Sequence, residues 1–464
     1  MAHSDQRPPN QGANPIVKAP ENRPLPSGYE VRQLATLLIS SVLLDGRALD
    51  DTIATAFARA DYRQMEPRDK GLARLIAATV LRRLGQLDAI IMSFVDRSLP
   101  IQSGNLRPIL YSAAAQLLFL KIAPHAVINI AVEQCRRDPA ANRFDKLANA
   151  VLRKVSTLGP DLLAGQNAAQ LNIPEWLWKR WTATYGEALA TRIAEASLTE
   201  AALDVSVKID PLGWATRLSG YLLPTGSVRL LPEGRIENLP GFNDGNWWVQ
   251  DAAAALPVKL LGDVKGMRVA DLCAAPGGKT AELAALGADV TAVDISAERL
   301  MRVRDNLHRL RLQANTVEAD AATWSPHDEF DAVLVDVPCT ATGTIRRHPD
   351  ILRLKRQEDL RKIAEVQAKL LRNAMRMVKP GGLVVFCSCS LEPEEGVEQI
   401  TRLLAASPGI VRVPITAGEL GGAHAADWIT ADGDLRTLPH HMPNANPELA
   451  GMDGFFAARL KWLD

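Results

Sequence analysis

The 464-residue sequence has no run of about 18 apolar residues, so a membrane-spanning helix is not expected. It has few cysteines, five in all, and the number is odd, which argues against a disulfide framework and for a reduced, cytoplasmic setting. It has no net charge: 53 Lys and Arg offset 53 Asp and Glu, so the global balance points to no partner. The opening MAHSDQRPPNQGANPIVKAPENRPLPSG has no apolar core of the kind a secretory leader carries. Its Pro, Asn and Gly content predicts disorder over 1–28. No repeat of 20–50 residues is evident. Apolar residues at 47% and charged ones at 23% are ordinary for a globular chain, and the length suits about three domains.

Charge is uneven along the chain. Residues 30–160 hold 18 Lys and Arg against 12 Asp and Glu, and residues 345–379 hold 11 against 4. Two basic segments in a neutral chain fit a polyanion bound on one face; solvated helix faces are the plainer reading.

Three textures follow one another. Over 29–160 apolar residues recur at helical spacing, as in Leu34, Leu37, Leu38 and Val42 or Leu72, Leu75, Ile76 and Val80, which predicts an all-α domain of about six helices. Over 172–248 a tryptophan-rich helix (Trp176, Trp178, Trp181) precedes β-like pieces, LDVSVKI, SVRLL and RIENL, which predicts a small α/β subdomain with the tryptophans as packing anchors. Over 250–464 apolar strands alternate with helices. MRVADLC, DVTAVDI, NTVEAD, FDAVLVDV and GLVVFCSC read as strands, and 351–378 reads as one long helix. That alternation predicts a parallel, doubly wound sheet, whose ligands lie at the carboxyl ends of its strands.

The strand ends carry the chemistry. Asp271 to Thr280, DLCAAPGGKT, is a glycine turn that opens a helix and lets backbone approach a ligand. It lacks the first glycine of a Walker A loop, where Cys273 stands, and there is no GxGxxG. Asp294, Asp320 and Asp336 close the next three strands. Three acids suit the hydroxyls of a neutral or cationic nucleoside better than a phosphate. Cys339 and Cys389 follow the ends of two strands that can be neighbours, so both thiols could face one pocket. A thiolate can add to C6 of cytosine and so activate C5. A lone cysteine is more often a small buried hydrophobe, and Cys135, Cys273 and Cys387 are read so. A metal pair at Cys387 and Cys389 finds no further Cys or His at zinc-site spacing, so no metal is expected.

DLCAAPGGKT, VDIS, DVPCTATGTIRRHPDI, FCSCSLEPEEG and GMDGFFAARL, in that order, resemble the RNA cytosine-C5 methyltransferases of the Sun (Fmu/RsmB) family. The helical amino-terminal region resembles the NusB-like RNA-binding domain of members that act on small-subunit rRNA. The resemblance implies a Rossmann-like catalytic domain using S-adenosyl-L-methionine. It implies that Cys273, Ala274, Ala275, Pro276, Gly277, Gly278, Lys279, Asp294, Asp320 and Asp336 surround that cofactor. Cys389 would be the nucleophile, Cys339 would assist release, and Asp336 would face the cytosine ring. Arg346, Arg347 and His348, with Arg136, Arg137 and Lys154 of the helical region, are expected RNA contacts. No membrane or obligate protein partner is expected. Alternatives are a tRNA or DNA cytosine methyltransferase and a non-catalytic RNA-binding protein. The family's middle region often carries Arg-Val-Asn where Leu203 to Lys208 stand here, so no RNA contact is carried over there.

Overall fold

The computed structural model describes residues 24–96, 98–100, 102–231 and 234–463. Most of the amino-terminal segment expected to be disordered lies outside them.

Seven helices form the first domain: α1 (Tyr29–Leu43), α2 (Leu49–Ala58), the single turn α3 (Ala60–Arg63), α4 (Pro67–Met92), α5 (Leu106–Leu118), α6 (Pro124–Arg137) and α7 (Asp145–Ala164). Most of the apolar stripes read from the sequence point inward, but Leu75 is exposed. Leu34, Leu38, Ile76, Val80, Leu110 and Leu152 are fully buried in one core, each contributing about 1.5–3 kcal/mol by leaving water. Helix α7 continues past the expected boundary at 160.

Between the first two regions the chain is helical too, as α8 (Ala168–Asn172), and is tied back to α4 by Asn172, whose side chain bonds Gln86. Helices α9 (Glu175–Tyr185) and α10 (Glu187–Ser197) lead into a four-stranded antiparallel sheet with the order β2 (Tyr221–Leu222), β3 (Val228–Leu230), β1 (Leu203–Val207), β4 (Trp247–Val249); α11 (Pro211–Arg217) packs on it. The RIENL strand is not formed: Ile236–Asn238 is a 3-10 turn. It lies among glycine and proline residues with no free strand beside it. Trp181 is fully buried, and Trp176 and Trp178 are half-buried in a cluster with Ile345, Ile351 and Leu391, as anchors.

The last domain begins with α12 (Ala252–Lys259). Then β5 (Arg268–Leu272), α13 (Gly278–Ala285), β6 (Asp289–Asp294), α14 (Ala297–Leu310), β7 (Asn315–Glu318), β8 (Phe330–Asp336), α15 (Ile351–Leu354), α16 (Gln357–Met377), β9 (Val378–Ser388) and α17 (Val397–Ala406) follow, and β10 (Ile410–Arg412), β11 (Leu435–Thr437) and β12 (Phe455–Trp462) close it. The sheet order is β10-β12-β9-β8-β5-β6-β7, with β11 also on β12. Strands β9, β8, β5, β6 and β7 are parallel, but β12 runs antiparallel to β9, and β10 and β11 antiparallel to β12. The sheet is therefore mixed, not parallel throughout. The final hydrophobic run covers the β9 edge, which would otherwise present unpaired backbone groups. The single helix expected over 351–378 is two. The chain is extended at Lys355 and Arg356, and Asp359 accepts from the Arg356 backbone to start α16 afresh. Successive strands are added to one side from β5 to β7 and to the other from β8 to β9, and this switch between parallel β5 and β8 opens a crevice at their carboxyl ends.

Candidate active site

The glycine turn after β5 is held from below. Cys273 and Gly277 both adopt positive φ, and a Cβ on Gly277 would meet Val303 Cγ1 at 3.1 Å, so the turn lies tight against α14. Asp294, nearly fully buried, accepts from the backbone N–H of Ala275 at 3.2 Å and of Ser296 at 3.1 Å. Arg299 donates to the Ala275 carbonyl. Below the turn, Thr280 donates to Asp271, whose carboxyl burial pushes up to about 7. Asp320, just beyond β7, is exposed and accepts from Ala322 N–H.

Asp336 ends β8 and pairs with Lys279 Nζ at 2.7 Å. Burial alone would lower the Lys279 pKa, but Asp336 and its neighbours raise it, so the ammonium stays charged. One register position across, Cys387 on β9 faces Asp336 and is buried, with its thiol pushed well up by burial. Cys339 and Cys389 follow these two strands, and their Sγ atoms stand 3.3 Å apart. The hydrogen bond between the two thiols, then burial, pushes Cys389 well above the ordinary thiol range, while the Lys279 charge draws it down. Cys273, Asp294, Asp320, Asp336, Cys339 and Cys389 share one cleft of about 350 Å³, with Ile295 and Leu370 among its apolar walls. Of the other turn residues, Ala275 lines the cleft, while Ala274, Pro276, Gly277, Gly278 and Lys279 build the loop and helix start beneath it.

The two cysteine loops are fastened to the late GMDG segment. Gly343 N–H donates to the Cys389 carbonyl at 2.9 Å and Gly454 N–H to the Gly343 carbonyl at 2.8 Å. A Cβ on Gly343 would fall 2.0 Å from the Gly454 carbonyl oxygen, so only glycine fits.

The basic loop after Cys339 departs from expectation. Arg346 is buried and donates to the Ala450 carbonyl. Arg347 binds Asp251 at 2.5 Å and Asp453 at 3.1 Å and donates to the Ala202 carbonyl. His348 pairs with Asp50 of α2 at 3.3 Å, while Asp350 accepts from Leu49 N–H and Arg82 donates to the Arg346 carbonyl. Arg346 and Arg347 are held inward, Arg347 by buried Asp251 and Asp453, while His348 meets the exposed Asp50 of the first domain. Arg136 and Arg137 end α6, beside Asp145 and Glu133, and Lys154 lies exposed on α7 above Phe94; all three belong to the helical domain, away from the cleft. Sequence reasoning missed Glu395, which binds both cysteine loops; its one signal was the acidic run directly after Cys389.

Residues 258–461 match the family described as 16S rRNA methyltransferase RsmB/F, and residues 29–157 match the NusB family. Ribosomal RNA small subunit methyltransferase B from Cronobacter sakazakii is 34% identical over 398 residues, 82% of this chain and 90% of that protein. The Serratia proteamaculans protein of the same name is 34% identical over 397 residues, with the same coverage. Among solved structures, PH0851 shares the fold, with a TM-score of 0.72 and 22% identity over 95% of this chain and 99% of its own. A methyltransferase homologue from Pyrococcus horikoshii gives a TM-score of 0.51 at 28% identity, over 61% of this chain and 94% of that one. With both domains matched and a third of its residues shared along most of its length, the chain belongs to the family of ribosomal RNA small subunit methyltransferase B.

Proposed function

We propose that this protein methylates C5 of a cytosine in small-subunit ribosomal RNA through a covalent bond between Cys389 and C6, with S-adenosylmethionine as methyl donor. The observation that carries the reading is the pair of thiols 3.3 Å apart beside Asp336 in one cleft. The cleft suits this cofactor. Asp294 and Asp320 would accept from ribose hydroxyls, Ile295, two-thirds exposed, would offer an apolar face to a purine, and the Asp336 carboxylate would attract the sulfonium.

When bound, the cofactor supplies an electrophilic methyl group. Cys389 Sγ, as thiolate, forms a bond to C6 of an unstacked cytosine, and the electron pair moves toward C5. Asp336 would pass a proton to N3 as negative charge develops there, and the Lys279 ammonium would stabilise the carboxylate left behind. Once C5 carries the methyl group, its proton passes to a base, the C6–Sγ bond breaks and Cys389 leaves as thiolate. Cys339, in contact with Cys389, assists that departure.

The decisive experiment is bisulfite sequencing of total RNA from cells with and without the protein: one small-subunit rRNA cytosine should lose protection in cells without it, and unchanged protection at every position would remove the proposal. For the cofactor, Asp294→Ala should weaken binding by about 1–3 kcal/mol in calorimetric titration, through a lost ribose hydrogen bond and a loosened Ala275 turn. Unaltered affinity would dismiss that contact.

The helical domain is assigned to RNA binding. Its α6–α7 groove is lined by His125, Asn129, Arg136, Lys146 and Arg153, with Lys154 next to it. Ion-pair contacts to phosphates release counterions. The double variant Arg153→Ala/Lys154→Ala should flatten the slope of log affinity against log salt by about 2. A slope equal to that of the unaltered protein would place the RNA elsewhere.

A further inference from the structure

Glu395 ends a 3-10 turn six residues beyond Cys389 and is fully buried. Among the described residues it has no cationic partner; Arg180, nearby, pairs with Glu392 and Glu394 instead. Its four partners are all donors. Oε1 accepts from Thr340 N–H at 2.9 Å and from Gln367 Nε2 at 3.1 Å; Oε2 accepts from Ser390 Oγ at 2.5 Å and from Thr340 Oγ1. Thr340 follows Cys339 and Ser390 follows Cys389. Gln367, on α16, also donates to the Pro338 carbonyl at 2.8 Å, so the residue before Cys339 is gripped as well. One carboxylate therefore ties the residues next to both thiols to each other and to a rigid helix.

A buried carboxylate without a cation is costly, and apolar packing would stabilise the fold better. Its chemistry explains its place. An ionised carboxylate only accepts, so it can take a backbone N–H, an amide and two hydroxyls at once and fix all four directions. The Gly343–Cys389 backbone bond joins the two loops once, and Glu395 joins them again at the residues next to the thiols.

We propose that Glu395 is a positioning residue that sets the Cys339–Cys389 spacing. The inference rests on the two-cysteine mechanism above. Attack needs Cys389 under C6, and departure needs Cys339 in contact with it, so a loop shift of about 1 Å impairs both, and misplacement on that scale costs about 10²-fold.

The test uses the full-length protein, S-adenosylmethionine and transcribed small-subunit rRNA. Glu395→Gln puts a donor against the four donors. It should lower kcat by about 10²-fold while cofactor affinity and the RNA KM stay within about twofold. The fraction of enzyme held as covalent RNA adduct should change as well, which a loss of folded protein would not cause. Thr340→Ser keeps the hydroxyl and should keep kcat; Thr340→Val should lose it. If Glu395→Gln does not fold, Thr340→Val and Ser390→Ala each remove one arm of the clamp. Their combined effect should then be smaller than the product of the two single effects, because both act through one carboxylate. A kcat that only tracks the folded fraction, or independent effects of the two arms, overturns the proposal. Failure of the unaltered protein to make 5-methylcytosine would instead overturn the mechanism on which it rests.

Discussion

Cys389→Ser should lower methylation by on the order of 10⁴-fold or more and leave no protein–RNA adduct on a denaturing gel. Serine puts a hydroxyl, almost wholly protonated near neutral pH, where a thiolate must attack. Cys339→Ser should behave differently. Attack and methyl transfer continue, but departure slows, so an adduct should build up. The 3.3 Å contact is what separates these roles from simple packing, since two core thiols need not meet at the mouth of a cleft. The same contact gives a pH signature. The Cys339 hydrogen bond and burial raise the Cys389 pKa, so the thiolate is scarce at neutral pH and the rate should rise as pH rises above 7. Lys279→Met removes the charge that draws the thiol down and should move that rise to higher pH. An adduct from Cys389→Ser and none from Cys339→Ser would reverse the assignment and favour the chemistry of a DNA cytosine methyltransferase, whose nucleophile follows a proline as Cys339 does.

Arg347→Met should destabilise the protein by about 3–5 kcal/mol in urea titration. Arg347 joins its loop to two others: Asp204 stands in β1 and Asp251 just after β4 of the small sheet, and Asp453 lies in the segment before β12. Burial works against charge on Arg347, Asp251 and Asp453. It pushes Asp251 up, but the Arg347 charge and hydrogen bond hold its carboxyl below the usual range. Asp453 is pushed up to about 7 by burial and then by the Asp251 charge. Asp453 and Asp251 in turn raise the Arg347 pKa. Without the guanidinium, buried Asp251 and Asp453 lose the cation they both bind, while Arg229 still pairs with Asp204. A contact to RNA phosphate would give another result: unchanged stability with weaker RNA binding. That outcome would restore the reading of Arg347 drawn from the basic loop.

Much of the catalytic domain could be read from local pattern. Strand–helix alternation placed β5, β6, β8 and β9 and put Asp294, Asp336, Cys339 and Cys389 at or just after strand ends. The misreadings share a cause. RIENL looks like a strand, but a strand exists only where a neighbour pairs with it. FFAARLKW carries no alternation because β12 is covered on both faces, and its antiparallel course depends on which edge of the sheet is free. The long helix divides at Lys355 and Arg356, where five polar residues separate Leu354 from Leu360 and α15 lies against α4.

The sequence by itself determined the order of the domains, the strand-end acids, the glycine turn and the two cysteines, because each depends on residue type and short-range spacing. Only the tertiary structure decided that Cys339 and Cys389 touch, that Glu395 binds the loops of both, and that Arg346 and Arg347 face inward. Those facts depend on strand order and on which buried charge meets which across 50 to 200 residues of chain. Composition reports that eleven basic residues crowd 345–379; it does not report that Asp251 and Asp453 converge on the second of them, Arg347. Net attraction at a buried site is set by the partners that folding brings close, since burial penalises any charge left alone.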